Sequence, residues 1–121
     1  MENEVFRLLS DALSMYLGTP SPHESQTGAR FKAPHKGKAT VYHEKIAIGN
    51  HAEVAFEPVS MARRLQMTEG ELRAFLSELR ISTGRPVLPN PQFDWPRVGV
   101  ESAAHVALVA DFLRQRLQTI P

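Results

Sequence analysis

Residues 39–57 read Ala39-Thr-Val-Tyr-His-Glu-Lys-Ile-Ala-Ile48, then Gly49-Asn-His51, then Ala52-Glu-Val-Ala-Phe-Glu57. Two alternating runs rich in β-formers, separated by a glycine-led turn, are the signature of an antiparallel hairpin. Burial decides its register. A three-residue loop at 49–51 places Tyr42, Ile46, Ile48, Ala52, Val54 and Phe56 on one face and sets His43 opposite Glu57, with Lys45 nearby. A two-residue loop would instead put Val54 and Phe56 on the face carrying His43 and Lys45. A slip of one residue inverts the whole face, so the three-residue loop is expected. A short third strand over residues 30–36 is left open, with Pro34 counting against it.

Outward from the hairpin the pattern is helical. Before it, Val5, Leu8, Leu9, Ala12, Leu13, Tyr16 and Leu17 recur at helical spacing over Glu2 to Leu17, and Gly18 with Pro20 stops the run. Residues 19–29 show no apolar period and read as a mobile loop or linker. After Pro58, Val59, Ala62 and Leu65 form a short stripe. Leu72, Phe75, Leu76 and Leu79 form a stronger one, opened by Thr68 and Glu71 at capping-box spacing and ended by Gly84. Pro86, Pro89, Pro91 and Pro96 predict an irregular loop over 85–99. A last helix is expected over about Ser102 to Gln118, with Val106, Val109, Ala110, Leu113 and Leu117 inward. The whole reads as one α+β domain over 1–121: N-terminal helix, antiparallel hairpin of two or three strands, helix pair, proline-rich loop and C-terminal helix.

The chain of 121 residues has a formal net charge of +1 and no cysteine. Disulfides, thiolate metal sites and cysteine nucleophiles are thereby excluded. No run approaches the ~18 apolar residues of a membrane span, and the acidic start Met1-Glu2-Asn3-Glu4 is unlike a secretory signal. A cytoplasmic protein without membrane contact is expected.

Residues 58–80 resemble a DNA-binding helix-turn-helix. Ala62 stands where a small side chain lets the helices cross, Leu65 closes the first helix, Met67 plugs the turn, Thr68 caps the second helix, and Leu72 and Phe75 anchor it. Gln66 holds the turn position where glycine is usual. The resemblance implies a second helix that enters the major groove by its N-terminal end. Carried over by position, Thr68, Glu69, Arg73, Ala74 and Ser77 face bases, and Arg63 and Arg64 face phosphates. Such proteins commonly act as dimers on paired half-sites, so a homodimer is part of the expectation.

The small net charge hides an uneven distribution. Arg30, Lys32, Lys36, Lys38 and Lys45 stand against Glu44 alone, a local net charge of +4 interleaved with Phe31 and Tyr42. Arg30, Lys32, Lys36 and Lys38 are therefore further candidates for backbone contact with double-stranded DNA. Lysines on a sheet edge equally serve to block edge-to-edge pairing. Phe93 and Trp95 in the proline-rich loop either dock a protein partner or lie across the core as a lid. His35, His43 and His51 recur at intervals of eight, too far apart on a hairpin to share a metal ion. Ser102, His105 and Asp111 lack triad spacing. No metal site, cofactor or enzymatic activity is expected. The leading expectation is a small DNA-binding transcriptional regulator. The alternative is a non-enzymatic adaptor or inhibitor, of the kind plasmids and phages carry, acting through the hairpin or the loop.

Overall fold

The computed structural model describes residues 3–22, 27–32, 34–83 and 95–118. Its elements in chain order are α1 (Glu4–Leu17), β1 (Ser21–Pro22), β2 (Gly28–Phe31), a 3-10 turn (Pro34–Lys36), β3 (Ala39–Tyr42), β4 (Ala52–Phe56), α2 (Pro58–Arg64), α3 (Glu69–Thr83), β5 (Arg97–Val100) and α4 (Ala103–Gln118). The strands form one antiparallel sheet in the order β1-β2-β3-β4-β5. The chain is thus an α+β fold, with helices at both ends of the sequence and a helix pair inserted between β4 and β5.

Local chemistry explains the boundaries. Asn3 caps α1, its side-chain oxygen accepting from the Phe6 amide at 2.9 Å while its amide group donates to the His51 carbonyl. Gly18 ends α1 at φ 86, a conformation glycine adopts without a Cβ penalty. Glu57 caps α2 and Pro58 supplies its first position, where a missing N–H costs nothing. The expected capping box opens α3: the Thr68 hydroxyl accepts from the Glu71 amide, and the Glu71 carboxylate accepts from the Thr68 amide, both at 3.0 Å.

Alternation gives the sheet two faces. Phe31, Ala39, Val41, Ala52, Val54, Phe56, Val98 and Val100 point into the core, where they meet Leu9, Leu13 and Leu17 of α1, Leu72 and Leu76 of α3, and Val109 and Leu113 of α4. α1 packs on α4 and on β3 and β4, α3 packs on β5 and α4, and α2 packs on α3 and the 3-10 turn. Burying each leucine is worth about 1.5–3 kcal/mol, and the strand valines and phenylalanines they meet contribute on the same scale.

Several expectations are corrected. The hairpin pairs Ala39 with Phe56, Val41 with Val54 and Tyr42 with Glu53, so the connection spans residues 43–51 instead of three residues. Tyr42 consequently lies on the face opposite Val54 and Phe56, His43 does not face Glu57, and Ile48 is 98% exposed. Buried polarity explains the shift. Glu53 is fully buried and accepts from the Ala47 amide and from Asn50 Nδ2, both at 2.8 Å, which ties the long loop over the second sheet face. Lys45 at φ 56 and Gly49 at φ 94 bend that loop.

The stretch read as a loop at 19–29 contributes Ser21–Pro22 and Gly28–Ala29 to the sheet; residues 23–26 lie outside the described residues. The proline-rich stretch yields strand β5 at Arg97–Val100, the edge partner of β4, and residues 84–94 lie outside the described ones. Pro96 adjoins the strand without weakening it, because its carbonyl accepts from the Phe56 amide at 3.0 Å. Met61 joins the expected Ala62 and Leu65 in the core at α2, while Val59 is exposed. No helix among the described residues is long and apolar enough to cross a membrane.

Candidate nucleic-acid interface

The second face of the sheet carries the polar chemistry. Its rows follow from the pairing: Arg30, Thr40, Ala55 and Arg97 lie across four strands, and Tyr42, Glu53 and Gly99 lie across three. One residue beyond the last β2–β3 pair, Phe31 with Ala39, the strands release Lys32 and Lys38 side by side. Trp95 approaches from the start of β5. Thr40 and Ala55 are small and buried, whereas their neighbours are long, so the surface dips between them. A groove of about 280 Å³ results, lined by Arg30, Lys32, Lys38, Thr40 and Trp95, with Phe31 and Ala39 at its base.

Three cations gather here within two rows of one sheet. Like charges directly across adjacent strands repel, so the cluster favours an anionic guest. Glu57, a carboxylate that the Lys38 charge reaches, is turned to α2, accepting from the Ser60 amide at 2.6 Å and from the Val59 amide at 3.3 Å. Burial works to raise the Glu57 carboxyl, but hydrogen bonds from the Ser60 hydroxyl and the Ser60 and Val59 amides, together with the Lys38 charge, hold it below the usual carboxylate range.

Helix α2 is tied to the chain segment that leads into β3. The Lys38 amide donates to Ser60 Oγ at 3.0 Å, and a Cβ at Gly37 would collide with Met61 Sδ. Arg63 lies one turn along α2 from Ser60, about 5 Å of rise, and is exposed, while Arg64 is half-buried. Lys36 is drawn elsewhere: its Cδ and Nζ lie 3.7 and 3.9 Å from where a Cβ at Gly18 would stand, at the C-terminus of α1. A cation there is favoured by the helix dipole.

No protein-family model matches the sequence, and comparison with curated proteins and with solved structures finds no similar chain.

The helix pair is built as follows. α2 ends with the Gln66 amide donating to the Arg63 carbonyl at 3.2 Å and the Met67 amide to the Ala62 carbonyl at 3.0 Å. That is a Schellman ending, and Gln66 takes its left-handed position at φ 54, where glycine is usual. Arg116 of α4 donates to the Leu65 carbonyl at 3.2 Å and lies over the Phe75 ring, bracing the turn against α4. On α3, Glu69, Ala74 and Ser77 are exposed and Arg73 is half-buried, whereas Thr68 spends its hydroxyl on the cap. The Thr68 amide, then its hydroxyl, hold the Glu71 carboxyl below its usual range, with Arg116 assisting. The free end of α3 therefore presents two exposed carboxylates, Glu69 and Glu71.

The structure thus brings Arg30, Lys32 and Lys38 together with Trp95. It sets them apart from Lys36 and from the α3 residues Thr68, Glu69, Arg73, Ala74 and Ser77, which belong to the helical layer on the other side of the sheet. Phe93 lies outside the described residues. Ser102 and His105 form the start of α4: the His105 amide donates to Ser102 Oγ at 3.4 Å and the Glu101 amide to His105 Nδ1 at 3.1 Å. Among the described residues no group of three or more His, Asp or Glu side chains is placed to hold a metal ion. In the sequence Trp95 and the lysines stand as separate features. The alternation Arg97-Val-Gly-Val100 was the signal that would have joined them, by adding β5 to the sheet.

Proposed function

We propose that this chain is a nucleic-acid-binding module whose main phosphate contact is the groove of Arg30, Lys32 and Lys38 beside Trp95, extended by Arg63 along α2. The convergence of three cations on one aromatic side chain carries this reading. Cations neutralise phosphates and release counterions, and an indole offers a stacking surface. The end of α3 makes a poorer first contact, because Glu69 and Glu71 would meet phosphate with like charge.

The test is fluorescence anisotropy of a labelled random duplex and a labelled single strand across a salt series. Binding is expected at low salt, with Lys32→Ala and Arg30→Ala each lowering the log–log salt slope by about 1. Arg73→Ala, on the helical side of the sheet, should by contrast leave the slope unchanged. Absence of any complex at micromolar protein and low salt would overturn the proposal.

A protein-binding role has one specific observation in its favour. Phe75 and Leu108 are partly exposed in a groove of about 290 Å³ between α3 and α4, rimmed by Glu78 and Asp111. Retention of nucleic-acid binding in a Leu108→Asp variant would separate this surface from the basic groove.

A further inference from the structure

Resting on that reading, we propose that the groove at Trp95 accepts an unpaired nucleobase, so that the protein prefers single-stranded nucleic acid to duplex. Its volume, about 280 Å³, falls just short of the usual range for drug-sized ligands and suits one planar ring. The lining divides by chemistry. Trp95 supplies a flat π-surface, Thr40 at 2% exposure supplies a floor, and Arg30, Lys32 and Lys38 supply charge at one rim. Arg30 and Lys32 are two residues apart on one strand, about 6.6 Å, and Lys38 stands on the adjacent strand about 4.8 Å away. A base held against the indole would therefore have the phosphates on its two sides within reach of different cations. In a duplex the same base is stacked and paired, and its faces are closed to Trp95.

Trp95 is the sole tryptophan of the chain, so its emission reports the site directly. The full chain is titrated with a thymidine 12-mer, with an abasic strand of equal length and charge, with the blunt duplex, and with thymidine monophosphate. The 12-mer is expected to quench Trp95 and to bind about tenfold tighter than the abasic strand, the size of one stacked base. Trp95→Ala should erase that difference while leaving the abasic affinity in place, and Trp95→Phe should retain most of it. Equal affinity for both strands with unchanged emission would overturn the base site while leaving phosphate binding intact. Quenching by the monophosphate without binding of the 12-mer would also overturn it, in favour of a free nucleotide. Failure of every strand and duplex to bind would instead remove the proposed function itself.

Discussion

Arg97 Nη2 lies 2.8 Å from Glu53 Oε1, and the pair is almost wholly withdrawn from water, the side chains being 7% and 0% exposed. The guanidinium also stacks on the Tyr42 ring at 4.5 Å from its centroid. This pair joins β4 to the edge strand β5 on the same sheet face as the basic groove. Removing one partner strands a buried charge. Glu53→Ala is expected to cost about 3–5 kcal/mol, whereas the double variant Glu53→Leu with Arg97→Met should fall much closer to wild type. Urea unfolding of the three proteins decides it. Equal losses in the single and double variants would show that the loop anchored by Ala47 and Asn50, not charge pairing, dominates.

Gln66 offers the opposite sign. A left-handed backbone costs an L-residue about 1–2 kcal/mol, partly offset by the greater freedom glycine has when unfolded. Gln66→Gly should therefore stabilise the chain by about 0.5–1 kcal/mol, read as a higher urea midpoint at unchanged slope. A loss of stability would mean that the glutamine side chain makes a compensating contact.

Glu57 should make stability depend on acid. Its folded carboxyl sits below the ordinary value of about 4.3, so the folded state binds its proton less readily than the unfolded chain. The stabilisation is complete above that unfolded value and disappears as pH falls through the depressed folded one. Glu57→Gln keeps a hydrogen-bond acceptor and removes the titration. Midpoints at about pH 6 and about pH 3 should then differ less in the variant than in the wild type. An identical difference in both would place the acid sensitivity in other carboxylates.

Helices were legible because their signals are local. Asn3, Gly18, Thr68 with Glu71, and the stripes through Leu9, Leu13, Leu72 and Leu76 each act within a turn or two of chain. The hairpin register was not, because it is set by Glu53, a carboxylate that gathers an amide six residues away and an arginine from the far end of the helix pair. Alternation assumes that apolar side chains seek the core. Ile48 instead yields to the polar demands of the loop beneath it. Strand β5 escaped for a related reason: four prolines outweighed a period of two that was visible in Val98 and Val100. Of the candidate site, each residue type was legible but their company was not. Trp95 meets Lys32 and Lys38 only through a sheet whose last strand had gone unread.

That distinction is measurable among the four clustered basic residues. Composition treats Lys32 and Lys36 alike, as neighbours in one basic segment. The fold sends Lys32 to the groove and Lys36 to the C-terminus of α1, where it complements the helix dipole beside Gly18. Lys32→Ala should lower the salt slope of nucleic-acid binding by about 1 without altering stability, since Lys32 is exposed and faces like charge. Lys36→Ala should leave the slope unchanged and cost roughly 0.3–1 kcal/mol of stability, most clearly at low ionic strength. Salt-series anisotropy and urea unfolding of both variants, side by side, give the comparison. If the two lysines shift the slope equally, phosphates track the whole segment and the groove holds no privileged contact. If only Lys32 does, the sheet, and not the linear run of charge, defines the interface.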